Sequence, residues 1–347
     1  MKTTPQLPAV RVDDPGDLIA ALPHLLAFHP VDSLIAVVLG EDDPKKVAVT
    51  LRVDLPAPRH RRALAHQLLL PISQHAGTVV LVVIGGGTAD PPGALPHQCL
   101  VDCLDEVLEG EGIEVRSAVW ASATAKDAKW FCYDEPDRSG TVPDPTGSEL
   151  AAVCAASGMV TFASREELAK VLAPDDDEAL ARRNALLNDA TEASERDFGT
   201  EESAHQGVIL VERAVAEAPT RATPLSDEEV VALALALSDL WVRDTSLAFT
   251  LGPQAMAAER LWAELTRATP APERAQPATL LAFSAYLRGD GALAAVALEA
   301  AELACPSHRL ASLVRRALDH AMPPEQLEQM ALAATRTGWR PDGPQWP

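Results

Sequence analysis

The spacing of apolar residues changes near the middle of the chain. In the first half, continuous apolar runs at residues 34–39 and 79–84 alternate with segments in which apolar residues recur at helical spacing. A continuous run of this length is typical of a strand buried on both faces. Residues 47–55 alternate between apolar and polar and predict a hairpin partner for the first run. The pattern therefore predicts a layered α/β domain with a mixed sheet.

Further elements follow from the same reasoning. A helix begins near Asp14-Pro15, and Pro23 should kink or split it because proline removes a helical hydrogen bond. Helices are predicted at residues 64–72 and 95–108, and strands at 113–121 and 129–133. Residues 134–147 are rich in Pro, Asp and Gly and predict an exposed loop.

The second half predicts helices alone. Ser164 with Glu167, and Ser226 with Glu229, are capping boxes before apolar periodic segments. The predicted helices cover residues 176–196, 201–216, 227–242, 254–267, 278–287, 292–303, 308–320 and 324–334. We therefore predict a mixed α/β domain over residues 1–173, an all-α domain over 174–337, and a Pro- and Trp-bearing tail over 338–347.

Residues 279–306 resemble a tetratricopeptide-like helix pair. Large and small apolar residues follow the order of that repeat, and Gly289-Asp290 supplies the turn between its helices. Ala258, Trp262 and Pro270 echo the pattern about one repeat of ~34 residues upstream. Stacked pairs of this kind form concave surfaces that bind proteins or serve self-association.

Aromatic and arginine side chains in this half are candidates for partner binding. Such residues are common hot spots of protein interfaces when they are exposed, and the alternative places the tryptophans in the core of the helix stack. The candidates are Trp241, Arg243, Trp262 and Tyr286.

Composition narrows the class of protein. The 347 residues include 29 Lys and Arg against 50 Asp and Glu, a formal net charge of −21. The tight basic run in the first half, residues 59–62, is short, so nucleic-acid binding is disfavoured. Five scattered cysteines do not suggest a disulfide framework, and no apolar run is long enough for a membrane span or a signal core. We expect a cytoplasmic protein with no membrane and no nucleic-acid partner.

Polar residues of the first half define a candidate enzyme site. His29 and Ser33 lie between the first helix and the first strand, where a base and a nucleophile would sit at a sheet edge, although the same residues suit a turn. Arg52 and Asp54 share one face of the second strand, as a ligand-binding pair or as a cross-strand ion pair. Nearby aromatic residues that would line such a cleft are Trp120, Trp130 and Tyr133.

Two other motifs are consistent with ligand binding but fit structural roles better. Gly85-Gly86-Gly87 follows a buried strand, yet it lacks the spacing of phosphate-binding loops. His97, Cys99 and Cys103 fall on one predicted helix, yet no second Cys/His pair completes a zinc site. We therefore predict no cofactor and no metal.

Three segments, residues 16–39, 158–176 and 280–301, together resemble one family, the actinobacterial family called domain of unknown function 4192. The resemblance covers most of the chain in the expected order. It implies the domain layout given above and no particular activity. Members often carry further cysteines after the segment that corresponds to residues 129–133, where this chain has Cys132 alone, and this departure argues against a metal or redox role there.

Two functions fit the sequence. The first is a non-catalytic cytoplasmic adaptor or scaffold that binds a protein partner through the helical C-terminal half. The second is a small-molecule-binding, hydrolase-like enzyme with its site on the N-terminal α/β domain, carried by His29, Ser33, Arg52 and Asp54.

Overall fold

A computed structural model describes residues 14–40, 46–75, 77–88, 95–135, 137–156 and 159–336. The chain divides into two compact units between Leu168 and Ala169, near the boundary predicted at residue 173, and each unit is described by itself. The predicted tail over residues 338–347 lies outside the described residues.

The first unit is an α/β domain. Its strands are β1 (Ser33–Leu39), β2 (Val47–Asp54), β3 (Val79–Ile84), β4 (Val115–Ala121), β5 (Lys129–Cys132) and β6 (Ser139–Thr141). Its helices are α1 (Pro15–Leu25), α2 (Arg61–Ser73), α3 (Gln98–Gly110), α4 (Glu149–Ala156) and the start of α5 (Arg165–Lys170).

The six strands form one mixed sheet in the order β2-β1-β3-β4-β5-β6. Strand β3 is parallel to β4, and all other neighbours are antiparallel. Every residue of β1 and β3 is buried, as their continuous apolar sequences predict. Apolar residues of α2 and α3 pack on one face of the sheet in a single core cluster. The predicted mixed α/β sheet is confirmed.

Three local predictions for this unit were wrong. Helix α1 is not split at Pro23 and runs on to Leu25; the proline removes one N–H donor, and only two further residues follow it in the helix. Helix α3 starts at Gln98 rather than residue 95, because His97 takes a left-handed conformation with φ of 62°. The predicted loop contains the short strand β6, whose Ser139 and Thr141 pair with β5.

The second unit is all-helical. Its helices are α6 (Asp177–Ser194), α7 (Glu201–Glu217), α8 (Asp227–Ser238), α9 (Leu240–Ser246), α10 (Ala255–Ala268), α11 (Ala275–Arg288), α12 (Gly291–Ala304), α13 (Arg309–Asp319) and α14 (Pro324–Arg336). The capping box predicted at Ser226 forms, since Ser226 and Glu229 each accept a hydrogen bond from the other's backbone amide.

One segment of this unit that is predicted as a single helix forms two helices in the structure. The segment 227–242 breaks at Asp239, whose backbone is extended with ψ of 122°. The Asp239 carboxylate accepts hydrogen bonds from the amides of Trp241 and Val242, so it caps a new helix, α9. The apolar periodicity continues across the break and conceals it in the sequence.

Helices α11 and α12 occupy the segment in which the spacing of residues 279–306 predicts two helices, and they pack against each other. Gly289 ends α11 in the left-handed region with φ of 89°, and Asp290 caps α12 by accepting a hydrogen bond from Leu293. Small residues such as Ala282 and Ala294 are fully buried in this pair. Among the helices that the structure describes, none has the length and apolar character needed to cross a membrane.

Candidate functional site

The polar face of α10 lines a cavity in the helical unit. Arg260, Ala263, Glu264, Arg267 and Ala268 recur at the spacing of one helix face and border a cavity of about 640 Å³. The opposite face of α10 is fully buried through Leu261, Trp262 and Leu265. Because that apolar face fixes the rotation of the helix, the two arginines and the glutamate face the cavity.

The connection between α7 and α8 forms a second wall. Residues Arg221 to Leu225 line the cavity, and Glu264 holds this connection in place. One Glu264 oxygen accepts a hydrogen bond of 2.8 Å from the Leu225 amide, and the other forms an ion pair with Arg221. Arg221 also donates to the Thr223 carbonyl at 3.1 Å. The wall is therefore held by two half-buried polar contacts of Glu264 and by one exposed hydrogen bond of Arg221.

Arg183 of α6 completes the lining of the cavity, and its guanidinium is occupied by hydrogen bonds within the unit. Its guanidinium donates to Asp175 and to Asp227 at 2.6 Å each, and to the Ala268 carbonyl at 3.0 Å. Burial alone would lower the pKa of Arg183, but the bonds and charges of the two carboxylates raise it above its ordinary value. The same bond with Arg183 lowers the pKa of the Asp227 carboxyl. This cluster holds the start of α6 against α8 and the end of α10.

In two arginines of the cavity, most guanidinium N–H donors have no partner among the described residues. Arg260 is exposed and makes no hydrogen bond or ion pair with any other residue that the structure describes. Arg267 is half-buried, and its guanidinium makes one long hydrogen bond of 3.4 Å to the Val171 carbonyl. Each guanidinium offers five N–H donors in a planar fork that matches a carboxylate or a phosphate.

The cavity is consequently a positively charged groove in an acidic protein. Four arginines and two carboxylates line it, and Asp175 and Glu264 are already occupied by Arg183 and Arg221. We call this feature the arginine groove, defined by Arg183, Arg221, Arg260 and Arg267. Its chemistry is recognition of acidic groups, because guanidinium pairs bind oxyanions with two parallel hydrogen bonds.

The predicted enzyme residues of the first unit lie in a different arrangement from a hydrolase site. Ser33 is fully buried; its hydroxyl donates to the Val31 carbonyl at 2.7 Å and accepts from Arg52 at 2.9 Å. Arg52 also forms an ion pair of 2.6 Å with the exposed Asp54. The Ser33 hydroxyl therefore already donates its proton to a backbone carbonyl, and Arg52 and Asp54 form an ion pair within the second strand rather than across strands.

His29 is separate from this group. Its Nδ1 atom lies 2.9 Å from the Thr124 hydroxyl, and among the described residues it makes no hydrogen bond to Ser33. Burial, and then the nearby His24, lower the pKa of His29. Without a base on the serine, this geometry gives the hydrolase hypothesis no support. The aromatic residues Trp120, Trp130 and Tyr133 are buried in the sheet domain.

The glycine loop after β3 is occupied by side chains of its own unit. The Gly86 amide donates to the Asp32 carboxylate at 2.7 Å, and the Gly86 carbonyl lies 3.2 Å from His97 Nε2. A Cβ on Gly85 would lie 2.6 Å from Asp32 Oδ1, so the close approach requires glycine there. This amide is used by Asp32 and is not open to a phosphate.

The helix that follows the loop carries the two cysteines of the zinc hypothesis. Cys99 is exposed and Cys103 is half-buried. Within the described ranges no group of three or more His, Cys, Asp or Glu side chains is arranged to hold a metal ion.

The predicted partner-binding residues lie mostly inside the helical unit. Trp262 is completely buried, and Tyr286 donates its hydroxyl to the carbonyls of Ala317 and Met322. Arg243 is buried in an ion pair of 2.6 Å with Asp244. Trp241 is half-buried beside the His205 ring at 5.2 Å. These side chains contribute to the packing of the unit, and their role in partner binding stays a prediction.

The arginine groove is absent from the sites predicted from the sequence. The spacing of Arg260, Glu264 and Arg267 places them on one helical face and was a usable signal. Arg183 and Arg221 come from other elements, and their proximity to α10 depends on tertiary packing that no local pattern contains.

The comparisons with known proteins identify a family without an assigned activity. No curated protein and no solved structure is significantly similar to this chain. The family model described as Domain of unknown function (DUF4192) matches residues 15–325, nearly the whole chain. The chain therefore belongs to this family.

Proposed function

We propose that this protein is a non-catalytic adaptor that binds an acidic segment of a protein partner in the arginine groove of its helical unit. The observation that carries the proposal is the pair Arg260 and Arg267, which line an open cavity without a carboxylate partner among the described residues. An Asp- or Glu-rich segment supplies the missing carboxylates with matching geometry.

Because the rest of the chain is acidic, we expect the groove to bind a particular acidic segment and not acidic proteins in general. With 50 acidic residues in the sequence, most of the surface repels acidic partners. The four arginines of the arginine groove make this part of the surface positively charged. A partner is therefore selected by a short acidic segment that fits the groove, and not by its overall charge.

A cytoplasmic location is part of the proposal. The five cysteines are all free, and two of them, Cys132 and Cys154, are buried. Free thiols in a protein of this size are typical of a reducing compartment. The helix pair α11 and α12 supports a repeat-like architecture for the binding unit.

The test uses the full chain and a fluorescein-labelled peptide of alternating Glu and Ala. Fluorescence anisotropy should show saturable binding that weakens as salt is raised, because the groove is open to solvent and its charges are screened. Arg260→Glu/Arg267→Glu should reduce the affinity at least about tenfold, since two attractions of about 1 kcal/mol each become repulsions.

Arg196→Glu is the matched control. Arg196 is exposed in the same unit, lies outside the groove, and undergoes the same Arg-to-Glu reversal at one position instead of two. Binding that is equal in the wild type and in the groove variant, or lost equally in the control, would overturn the proposal. Light scattering on the same samples shows whether a second copy of this chain is the occupant, because the groove variant would then be monomeric where the wild type associates.

A further inference from the structure

Helices α2 and α3 cover the same face of the sheet and carry charges of opposite sign. Their apolar residues share one core cluster, and the two helices pack against each other. Helix α2 contains Arg61, Arg62 and His66 and no acidic residue, and Arg59 and His60 directly precede it. Helix α3 contains no basic residue and four acidic ones, which are Asp102, Asp105, Glu106 and Glu109. This face of the α/β domain therefore has a basic half and an acidic half.

Exposed charges of each helix are spaced at three or four residues and so lie along one side of it. We call three of them at the start of α2 the basic stripe, defined by Arg59, Arg62 and His66. We call three of them on α3 the acidic stripe, defined by Asp102, Glu106 and Glu109. Among the described residues, no ion pair joins any of these side chains to another. Both stripes therefore present their charges to solvent without a partner of opposite charge.

These charges oppose the dipole of each helix. The amino end of a helix favours acidic residues, yet α2 begins with arginines and has no acidic residue in its first turn. The carboxyl end favours basic residues, yet α3 has Glu106 and Glu109 near its end and no basic residue in its last turn. Burial, and then the negative charges of Glu109, Asp134 and Asp102, raise the pKa of Asp105. Neither helix is stabilised by its own charges, and a surface of opposite charge would stabilise both.

A second copy of this chain has the complementary charges in the required order. Strands β2 and β3 are both antiparallel to β1, so they are parallel to each other, and α2 and α3, which follow them, run in the same direction. A two-fold axis between two opposed faces, parallel to these helices, places α2 of each copy over α3 of the other. Both contacts then join a basic stripe to an acidic stripe, which makes the face self-complementary.

We infer that this protein forms a two-fold symmetric dimer in which the basic stripe of each copy binds the acidic stripe of the other. Leu70, which is 49% exposed and follows His66 by one turn, adds an apolar contact to the same side of α2. Each helix has 13 residues, so two helices side by side, each about 20 Å long, offer on the order of 400 Å² per copy. Because this is about half the area of a standard interface, we expect a weak dimer with a micromolar dissociation constant.

Sedimentation velocity on the full chain tests the inference over a range of protein concentrations. At low salt the sedimentation coefficient should rise with concentration as dimers form. Sodium chloride at about 0.5 M should weaken the association at least about tenfold, because exposed charges are screened. This salt dependence distinguishes a charged interface from an apolar one.

Two charge reversals test the stripes one at a time. Arg59→Glu/Arg62→Glu makes the basic stripe acidic, and Asp102→Arg/Glu106→Arg/Glu109→Arg makes the acidic stripe basic. Each variant alone should be monomeric, because both contacts of its dimer become repulsive. The substitutions are at exposed positions and most of them suit the helix dipole, so both variants should fold, which circular dichroism checks.

Mixing the two variants restores complementary charges. In the mixed dimer one copy has two acidic stripes and the other has two basic stripes, so both contacts are again attractive. The mixture should associate about as tightly as the wild type. Arg196→Glu/Arg309→Glu is the matched control, since it makes the same change at two exposed arginines of the helical unit and should leave the dimer intact.

A wild type that is monomeric at low salt at every concentration would overturn the inference. So would stripe variants that still dimerise alone, variants that do not associate when mixed, or a control that dissociates as the stripe variants do. The groove variant Arg260→Glu/Arg267→Glu should remain dimeric whether or not it binds the acidic peptide. The dimer and the adaptor function can therefore fail separately.

Discussion

His308 is a buried histidine whose two ring nitrogens have separate structural roles. Nδ1 accepts a hydrogen bond of 3.1 Å from the Ala311 amide and so caps α13. Nε2 lies 2.9 Å from the Gln276 side-chain oxygen. The neutral ring with its proton on Nε2 satisfies both contacts, whereas a second proton on Nδ1 would remove the cap. Burial, and then the positive charge of Arg243, lower the pKa of His308 to about 4.

We therefore predict a loss of stability in mild acid. Because the pKa falls from 6.5 in the unfolded chain to about 4 in the folded protein, the unfolded chain binds more protons between these values. Stability should decrease as the pH is lowered through this window, by about 2 kcal/mol between pH 7 and pH 5, and level off below pH 4. Urea unfolding followed by circular dichroism at each pH measures the change.

His308→Asn is the control for this prediction. Asparagine caps helices well and does not titrate, so the variant should retain α13 and lose this part of the pH dependence. If the wild type and His308→Asn show the same change between pH 7 and pH 5, the assignment to His308 is wrong.

At the scale of elements, the turn between α11 and α12 depends on one glycine. Gly289 has φ of 89°, and its amide and that of Asp290 donate to the carbonyls of Tyr286 and Ala285 at the end of α11. A Cβ at Gly289 would meet no atom within 4 Å, so the penalty of a side chain there is conformational and not steric.

Gly289→Ala should lower the free energy of unfolding by about 1–2 kcal/mol, the cost of holding an L-residue in the left-handed region. Gly291→Ala is the matched change at the first position of α12. Its φ lies outside the left-handed range, and its Cβ would meet Leu318 at 3.8 Å, an ordinary contact distance. This control should be neutral or slightly stabilising, because alanine is a better helix former than glycine. Equal effects of the two substitutions in thermal denaturation would contradict this account of the turn.

Some helices and strands could be predicted from the sequence, and others could not. Strands β1 and β3 and the α11–α12 pair follow from apolar spacing and turn residues, which act over a few positions. The break at Asp239 could not be predicted, because an apolar period that continues on both sides outweighs one capping residue. The sequence also does not show which polar side chains are buried without a hydrogen-bond partner, as the Thr269 hydroxyl is.

The enzyme site predicted from the sequence differs from the contacts in the structure for a related reason. His29, Ser33, Arg52 and Asp54 carry reactive groups near strand ends, which is why the sequence predicts a site there. Side chains near strand ends also complete turns and ion pairs, which the contacts of Ser33 with Val31 and Arg52 show. The distinction depends on which hydrogen bonds are already made, and this is a property of the folded unit.

At the scale of the whole molecule, the feature to be explained is a cluster of arginines in a chain with a net charge of −21. Arg183 and Arg221 have structural ion pairs that shape the groove. Arg260 and Arg267 form no ion pair with any described residue, and we propose that their charges serve partner binding. Partner binding and stability can therefore be tested separately, because reversing the charges of Arg260 and Arg267 removes no ion pair among the described residues.

The most direct test of the adaptor function is quantitative affinity capture from native lysate with three full-length forms. These are the wild type, the groove variant Arg260→Glu/Arg267→Glu, and the control Arg196→Glu. We predict that at least one protein with an acidic segment is captured in near-stoichiometric amounts by the wild type and the control, and is depleted from the groove variant. Capture of the same proteins in the same amounts by all three forms would contradict the account.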